Sequence, residues 1–341
     1  MTNPGPRATY LRVSVTDRCN ERCLYCMPAE GVPLKSHADI LRYEEVETVV
    51  RAAVRLGVRS VRLTGGEPLV RRDIVDLAAR VAAVPGVEDL SLTTNGLLLE
   101  RLAVPLRRAG VRRLNVSLDT LRPDRYRAIT RVGDFQQAVG GLGAALAAGF
   151  LPIKVNTVVI RGLNDDEIEE MALVAAGRAR VPGLGPAGPL VWRFIELMPL
   201  GEGHALGDKA LVPADEIVER LAGVASRSGL GFEEEGPLEP PLGAGPARYF
   251  RLGSGRVGVI SPMTHGFCSS CNRLRLTADG KIHPCLASSV AVDVAGPLRA
   301  QATLEEITSL LARAVAMKPQ AHRMAERGPE LIRRRMSEIG G

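Results

Sequence analysis

Aromatic residues are scarce in this chain of 341 residues: one Trp, five Tyr and six Phe, 4% of the total. Binders of single-stranded nucleic acid need aromatic platforms for stacking, and no ribonucleoprotein-type or helix-turn-helix pattern is present. The net charge of +6 therefore points to an anionic partner other than nucleic acid, while most of the scattered arginines read as solvated helix faces. A long apolar run is also missing. The longest uncharged stretch, 135–153, holds two Gln, four Gly and a Pro, which predicts a helix and a turn rather than a membrane span. The N-terminal "MTNPGPRATYLRV" lacks the apolar segment of a signal peptide, so a cytoplasmic protein without membrane association is expected. No internal repeat or low-complexity tract interrupts the sequence.

Histidine is rare near the cysteines that matter first. The six cysteines fall in two triplets, Cys19, Cys23, Cys26 and Cys268, Cys271, Cys285, and the nearest histidine to the first triplet is His37. Clustering of this kind in a cytosolic protein argues for metal rather than disulfides. Thiolates suit soft metals, and a four-iron cube needs one outside ligand per iron, so three cysteines leave one iron open to something exchangeable. Structural zinc requires a fourth ligand, and that alternative stays open for both triplets. It is stronger for the second, where His265 and His283 stand close in sequence.

From about residue 8 to 224, short β-branched runs alternate with helical ones. "TYLRVSVTD", "VRSVRLT", "EDLSLTTN", "VRRLNVSL", "PIKVNTVV" and "LVWRFIELM" read as strands, and "YEEVETVVRAAVRLG" as an amphipathic helix. Strand followed by helix, six times over, implies a parallel sheet, closed either as a doubly wound fold or as a (βα) barrel. The cysteine loop follows the first strand, GGEP the second, TTNG the third, SLDT the fourth and ELMP the sixth. Motifs at so many strand ends form a ring, as in barrel enzymes, whereas a doubly wound sheet gathers them at one switch point. The expected fold is α/β, an incomplete (βα)6 barrel over residues 1–225. Residues 226–341 are expected to form a cap that carries the second triplet, with both triplets facing one barrel mouth. In that part, "GFEEEGPLEPPLGAGP" reads as a connector with a solvated acidic run, and "ARYFRLGSGRVGVISP" as a hairpin. A second hairpin turns at Asp279 and Gly280, followed by a helix over 304–317 and a basic tail ending in Gly340 and Gly341.

CxxxCxxC after the first strand, with Tyr25 before the last Cys, and GGEP after the second resemble the radical S-adenosylmethionine (radical SAM) superfamily. The resemblance implies that the open iron chelates the amino and carboxylate groups of SAM. One electron then cleaves SAM to a 5′-deoxyadenosyl radical that abstracts hydrogen from substrate, the protein supplying orientation. GGEP would receive the methionine end. "LRVSVTDRCNERCLYCMP", "VRLTGGEPLVRRD", "NVSLDTL", "KVNTVVIRG", "RFIELMPLGEG", "FCSSCNRLRLTADGK" and the Gly-Gly end extend the similarity over nearly the whole chain, to the MoaA-type GTP 3′,8-cyclase family of molybdenum cofactor biosynthesis. That family is a group of lyases converting GTP to (8S)-3′,8-cyclo-7,8-dihydroguanosine 5′-triphosphate. The radical takes the ribose 3′ hydrogen and C3′ attacks guanine C8, while a second cluster's open iron binds the purine and holds the reacting atoms together.

Carried over residue by residue, the resemblance places Cys19, Cys23 and Cys26 on one [4Fe–4S] cluster and Cys268, Cys271 and Cys285 on another. It places Tyr25, Gly66, Ser117 and Met198 against SAM, and Arg12, Arg62, Thr93, Lys154, Arg273 and Arg275 against GTP, with Asn156 and Arg193 as further candidates. Gly340 and Gly341 would thread into the active site, where only glycine fits. Residue chemistry agrees: guanidinium groups grip phosphate oxygens in bidentate fashion, and Arg273 and Arg275 alternate along a strand and share a face. Lys154, inside an apolar strand, faces either the lumen or an edge. On their own Ser117 and Thr93 read as turn or capping residues, and Met198 as core. Implied partners are a reduced flavodoxin or ferredoxin type of electron donor and a cyclic pyranopterin monophosphate synthase that takes the product; monomer and homodimer are both open. The alternative is a radical SAM enzyme that modifies peptides or proteins, a group that often needs more than six cysteines. A zinc-stabilised nucleic-acid binder would explain CxxC but not CxxxCxxC joined to GGEP. "GLGPAG", 183–188, fits GxGxxG, yet it precedes a strand and opens no helix, so it reads as a loop.

Overall fold

The computed structural model describes residues 8–185, 189–236, 245–322, 324 and 336–340. Its strands are β1 Tyr10–Ser14, β2 Ser60–Thr64, β3 Asp89–Thr94, β4 Arg113–Ser117, β5 Ile153–Val159, β6 Leu190–Glu196, β7 Phe232–Glu235, β8 Arg248–Leu252, β9 Gly255–Ile260, β10 Arg273–Leu276, β11 Lys281–His283 and β12 Val292–Asp293. All join one sheet in the order β12-β11-β10-β1-β2-β3-β4-β5-β6-β9-β8-β7. β1 to β6 pair in parallel and in chain order, which leaves no switch point and matches a barrel. The order is linear, so among the described residues the barrel is incomplete. The sheet nonetheless curves: Arg62 on β2 and Arg193 on β6 repel each other across its inside.

Alternation along the strands explains both layers. Leu11, Val13, Val61, Leu63, Leu90, Leu92, Leu114 and Val116 are buried in the main core, under the helices. Their neighbours Arg12, Arg62, Ser91 and Asn115 point the opposite way, into the lumen. The helices are α1 Tyr43–Arg55, α2 Ile74–Ala82, α3 Leu99–Arg108, α4 Pro123–Thr130, α5 Phe135–Ala147, α6 Ile168–Ala175, α7 Glu202–Ala205, α8 Ala214–Arg227, α9 Ala295–Arg299 and α10 Leu304–Ala316, with a last turn at Met336–Ile339. α1 buries Val46, Val49, Val50 and Ala53 at helical spacing.

The two expected hairpins are β8–β9 and β10–β11, and the stretch from 135 is α5 followed by a turn. No helix among the described residues is long and apolar enough to cross a membrane. Two expectations change. The acidic run is not merely solvated connector, because Phe232–Glu235 is the edge strand β7. Glu234 pairs with Arg248 at 2.9 Å, and Glu235 pairs with Arg251 and Arg256, so partners from β8 and β9 neutralise it. The C-terminal part is also more than a cap: β10 pairs in parallel with β1, and β9 with β6, extending the six-strand core at both edges.

Candidate active site

The turns after β1 and β2 are tied to each other by backbone. Gly66 N–H donates to Thr16 O and Glu67 N–H to Arg18 O, both at 2.8 Å. A Cβ on Gly66 would lie 2.3 Å from the Arg18 carbonyl oxygen, so only glycine admits this approach. The Glu67 carboxylate accepts from Leu69 N–H at 2.9 Å, Thr94 Oγ1 at 2.8 Å and Asn95 N–H at 2.8 Å, drawing in the turn after β3. Burial pushes its carboxyl up to about 7.

These turns frame the first triplet. Cys19, Cys23 and Cys26 are half-buried, take part in no disulfide and line one cavity, and Glu21 N–H donates to Cys19 Sγ at 3.4 Å. Glu21 accepts from the Tyr126 hydroxyl at 2.6 Å, and the Cys23 thiol lies 3.7 Å from its other oxygen. The Tyr25 hydroxyl donates to Asp119 at 2.7 Å, and Val158 N–H donates to the same carboxylate at 2.8 Å. Burial pushes Glu21 up to about 7 and Asp119 up to about 6. Three soft donors facing one cavity, with an N–H on a sulfur, fit an iron–sulfur cluster.

Below that loop the lumen is cationic. Register sets Arg275, Arg12, Arg62 and Ser91 in one row, Thr93, Asn115 and Lys154 in a second, and Ser117, Asn156 and Arg193 in a third. Arg62 Nε donates to Ser91 Oγ at 3.1 Å, Asn115 Nδ2 to Thr93 Oγ1 at 3.3 Å, and Arg193 Nη2 to Asn156 Oδ1 at 2.6 Å. Asp89, the carboxylate beside them, is held by Arg113 Nε at 2.7 Å. Burial lowers Arg62 to about 10 and Arg275 to about 10, with Arg193 and Arg273 respectively adding repulsion. Arg12 falls well below its ordinary value through burial, Arg275 and Arg62. Lys154 drops to about 6 through burial, then Arg193, Arg113 and Arg62. A cavity with this excess of buried cationic groups has the chemistry to take up an anion.

The second triplet reaches the lumen from the other strand ends. Cys268 and Cys271 precede β10 and Cys285 follows β11, and Tyr10, at the start of β1, lies opposite Arg273. The expectation of one shared barrel mouth is corrected accordingly: the first triplet follows β1, whereas the second lies by its beginning. Their cavities meet through Met198, Phe267, Arg273 and Arg275, which line both. Lys318 Nζ donates to Arg273 O at 2.8 Å and Pro284 O at 3.1 Å, and lies 3.8 Å from Cys271 Sγ. His322 N–H donates to Cys268 Sγ at 3.3 Å and Ala287 N–H to Cys285 Sγ at 3.4 Å. Burial works against the Cys271 thiolate, but Arg273 and Lys318 hold that thiol below its usual value. His265 is turned to Asp215 at 2.8 Å, and His283 Nδ1 meets the Val290 carbonyl at 3.0 Å. Neither histidine lines the cavity of the second triplet, which His322 lines instead. Arg275 Nη1 donates to Gly340 O at 2.6 Å. Gly340 has φ +74°, and a Cβ there would stand 2.7 Å from Thr64 Cγ2. Gly341 lies outside the described residues.

Residues 13–175 match the model of the Radical SAM superfamily, and residues 190–324 that of Molybdenum Cofactor Synthesis C. A GTP 3′,8-cyclase of Moorella thermoacetica is 51% identical over 339 residues, 97% of each chain. One of Pelotomaculum thermopropionicum is 49% identical over 337 residues, again 97% of each. The chain belongs to the GTP 3′,8-cyclase family. This family member is thus a radical SAM enzyme, and SAM and a [4Fe–4S] cluster are its cofactors. Among solved structures, Streptococcus suis SuiB bound to precursor peptide SuiA has a TM-score of 0.57 at 14% identity, covering 82% of this chain and 60% of that one; the likeness is one of fold.

In this GTP 3′,8-cyclase family member, every residue expected against SAM or GTP lines the cavity of the first triplet, Asn156 and Arg193 included. Sequence reasoning missed Glu21, Asp119, Tyr10 and Lys318. Asp119 carried a signal, standing two residues after Ser117 and so on the same face of an extended chain. Lys318 carried none, since its partners lie more than thirty residues away.

Proposed function

We propose that the chain converts GTP to (8S)-3′,8-cyclo-7,8-dihydroguanosine 5′-triphosphate, the first step of molybdenum cofactor biosynthesis. The observation that carries this reading is the buried cationic lumen between two sites of three thiols each. Cys19, Cys23 and Cys26 hold the cluster that binds SAM, and Cys268, Cys271 and Cys285 hold a second [4Fe–4S] cluster. When bound, the first cluster and SAM supply a hydrogen-abstracting radical. The chain's own residues do the rest by position. Tyr25, Gly66, Ser117 and Met198 surround SAM, with Tyr25 fixed by Asp119. Arg12, Arg62, Lys154, Arg273 and Arg275 take up the triphosphate, and Thr93 adds a hydroxyl. Gly340 steadies Arg275 through its carbonyl, and Gly341 continues into the site. Burial of these groups keeps water from the reacting atoms.

Residues 1–225 carry the SAM half of the site in this reading, and residues 226–341 the substrate half. The electron comes from a reduced flavodoxin or ferredoxin type of protein in the cytoplasm, and the product passes to a cyclic pyranopterin monophosphate synthase; the active species is a monomer or homodimer. The test is anaerobic reconstitution, an iron count, and incubation with SAM and each nucleoside triphosphate. About eight irons per chain, two four-iron cubes, with 5′-deoxyadenosine formed as GTP is lost, is the expected result. About four irons and no dependence on nucleotide would overturn the reading.

A further inference from the structure

Tyr10 opens β1 and is 3% exposed. It stands two residues before Arg12, so both side chains enter the lumen from the same face, Tyr10 being nearer the strand's N-terminal end. Its ring lies under the Arg62 guanidinium, 5.4 Å from centroid to Cζ, and it lines the same cavity as Arg12 and Lys154. Its hydroxyl is buried and has no hydrogen-bond partner among the described residues. Buried hydroxyls are nearly always paired, and the surroundings explain why this one is not. Arg12, Arg62, Arg113 and Arg275 line the cavity with it, and guanidinium groups offer donors but no acceptor. The surrounding guanidinium groups cannot take the phenolic proton, and an acceptor entering with a ligand would pair it.

We infer that the Tyr10 hydroxyl is a further substrate ligand, donating to the terminal phosphate of the bound nucleoside triphosphate. The inference rests on the reading of the site as one for GTP. With the ribose under the first triplet and the purine by the second, the triphosphate runs along the row of Arg275, Arg12 and Arg62. Tyr10, two residues before Arg12 and with its ring against the Arg62 guanidinium, lies within reach of that row. A phosphate oxygen satisfies the hydroxyl and the guanidinium groups at once.

The experiment measures dissociation constants of GTP, GDP and GMP by anaerobic equilibrium dialysis, on the reconstituted holoenzyme and its Tyr10→Phe variant. Phe keeps the ring under Arg62 and removes only the oxygen. GTP binding should weaken about tenfold, the lower end for a hydrogen bond to a charged acceptor, while GDP and GMP shift less than twofold and iron content and thermal midpoint stay unchanged. Unaltered GTP affinity, or an equal loss for all three nucleotides, would overturn the assignment. So would loss of iron or early melting, since the hydroxyl would then serve the fold. A wild-type enzyme that binds no GTP refutes the underlying reading, an outcome distinct from the others.

Discussion

Lys154 is 4% exposed on β5, with Arg193, Arg113, Arg62 and the Arg113-bound Asp89 around it, and its pKa of about 6 compares with roughly 10.4 for an unfolded lysine. Between those values the folded chain holds fewer protons than the unfolded one, so Lys154 opposes folding increasingly as pH falls, fully so below about 6. A triphosphate reverses the balance by favouring the charged form. GTP binding at pH 7.5 should therefore draw protons into the protein, and affinity should fall as pH rises from 6 to 8, by up to about tenfold per unit. Calorimetry in buffers of different ionisation enthalpy measures the uptake, which should be absent in Lys154→Met. That variant should also melt higher than wild type without nucleotide. Equal proton uptake by both proteins would remove Lys154 from the site. The sequence marked Lys154 because it interrupts an apolar strand, leaving lumen or edge open; Tyr10 was not legible, because what distinguishes it is three arginines gathered from three other places in the chain.

At the scale of elements, function depends on how closely two turns approach. The turn after β2 lies against the start of the cysteine loop, with Gly66 between Asp17 and Arg18 carbonyl oxygens at 2.9 and 2.3 Å from its would-be Cβ. Both obstacles are backbone, so no side-chain rotation relieves them. Gly66→Ala should push the cysteine loop outward, weakening SAM binding at least tenfold and lowering iron retention at the first triplet, while the second keeps its iron and its spectrum. Iron counts on the variant, and on the same variant lacking Cys268, Cys271 and Cys285, separate the two sites; wild-type SAM affinity would refute the argument. The six core strands were readable because each is a short β-branched run, and five of them end in a polar or glycine-rich motif. β7 was not, since "FEEE" has only one apolar residue and what holds it lies on strands that follow it: the ladder to β8, the Phe250 ring stacked on Phe232, and ion pairs to Arg248, Arg251 and Arg256.

The molecule as a whole is organised by two pairings that no local pattern announces. β1 and β6 are the edges of the six-strand core, and each is covered by a parallel strand from the C-terminal part, β10 and β9. Parallel pairings between distant segments leave no periodicity in the intervening sequence, which is why a separate cap was expected. The consequence is physical as well as topological. Arg273 and Arg275 enter the lumen because β10 lies beside β1, in register with Tyr10 and Arg12, so the strand that covers the edge also completes the cationic lining of the cavity. A fragment of residues 1–225 would expose the backbone donors and acceptors of β1 and β6 together with the apolar face that α10 covers on α1. Unpaired, flat strand edges of that kind associate. The fragment should be aggregated or molten, without cooperative thermal unfolding, and co-expression with residues 226–341 should restore a soluble complex. A soluble monomeric fragment that unfolds cooperatively near the full-length midpoint would show instead that the six-strand core is self-sufficient, and that β9 and β10 serve the site alone.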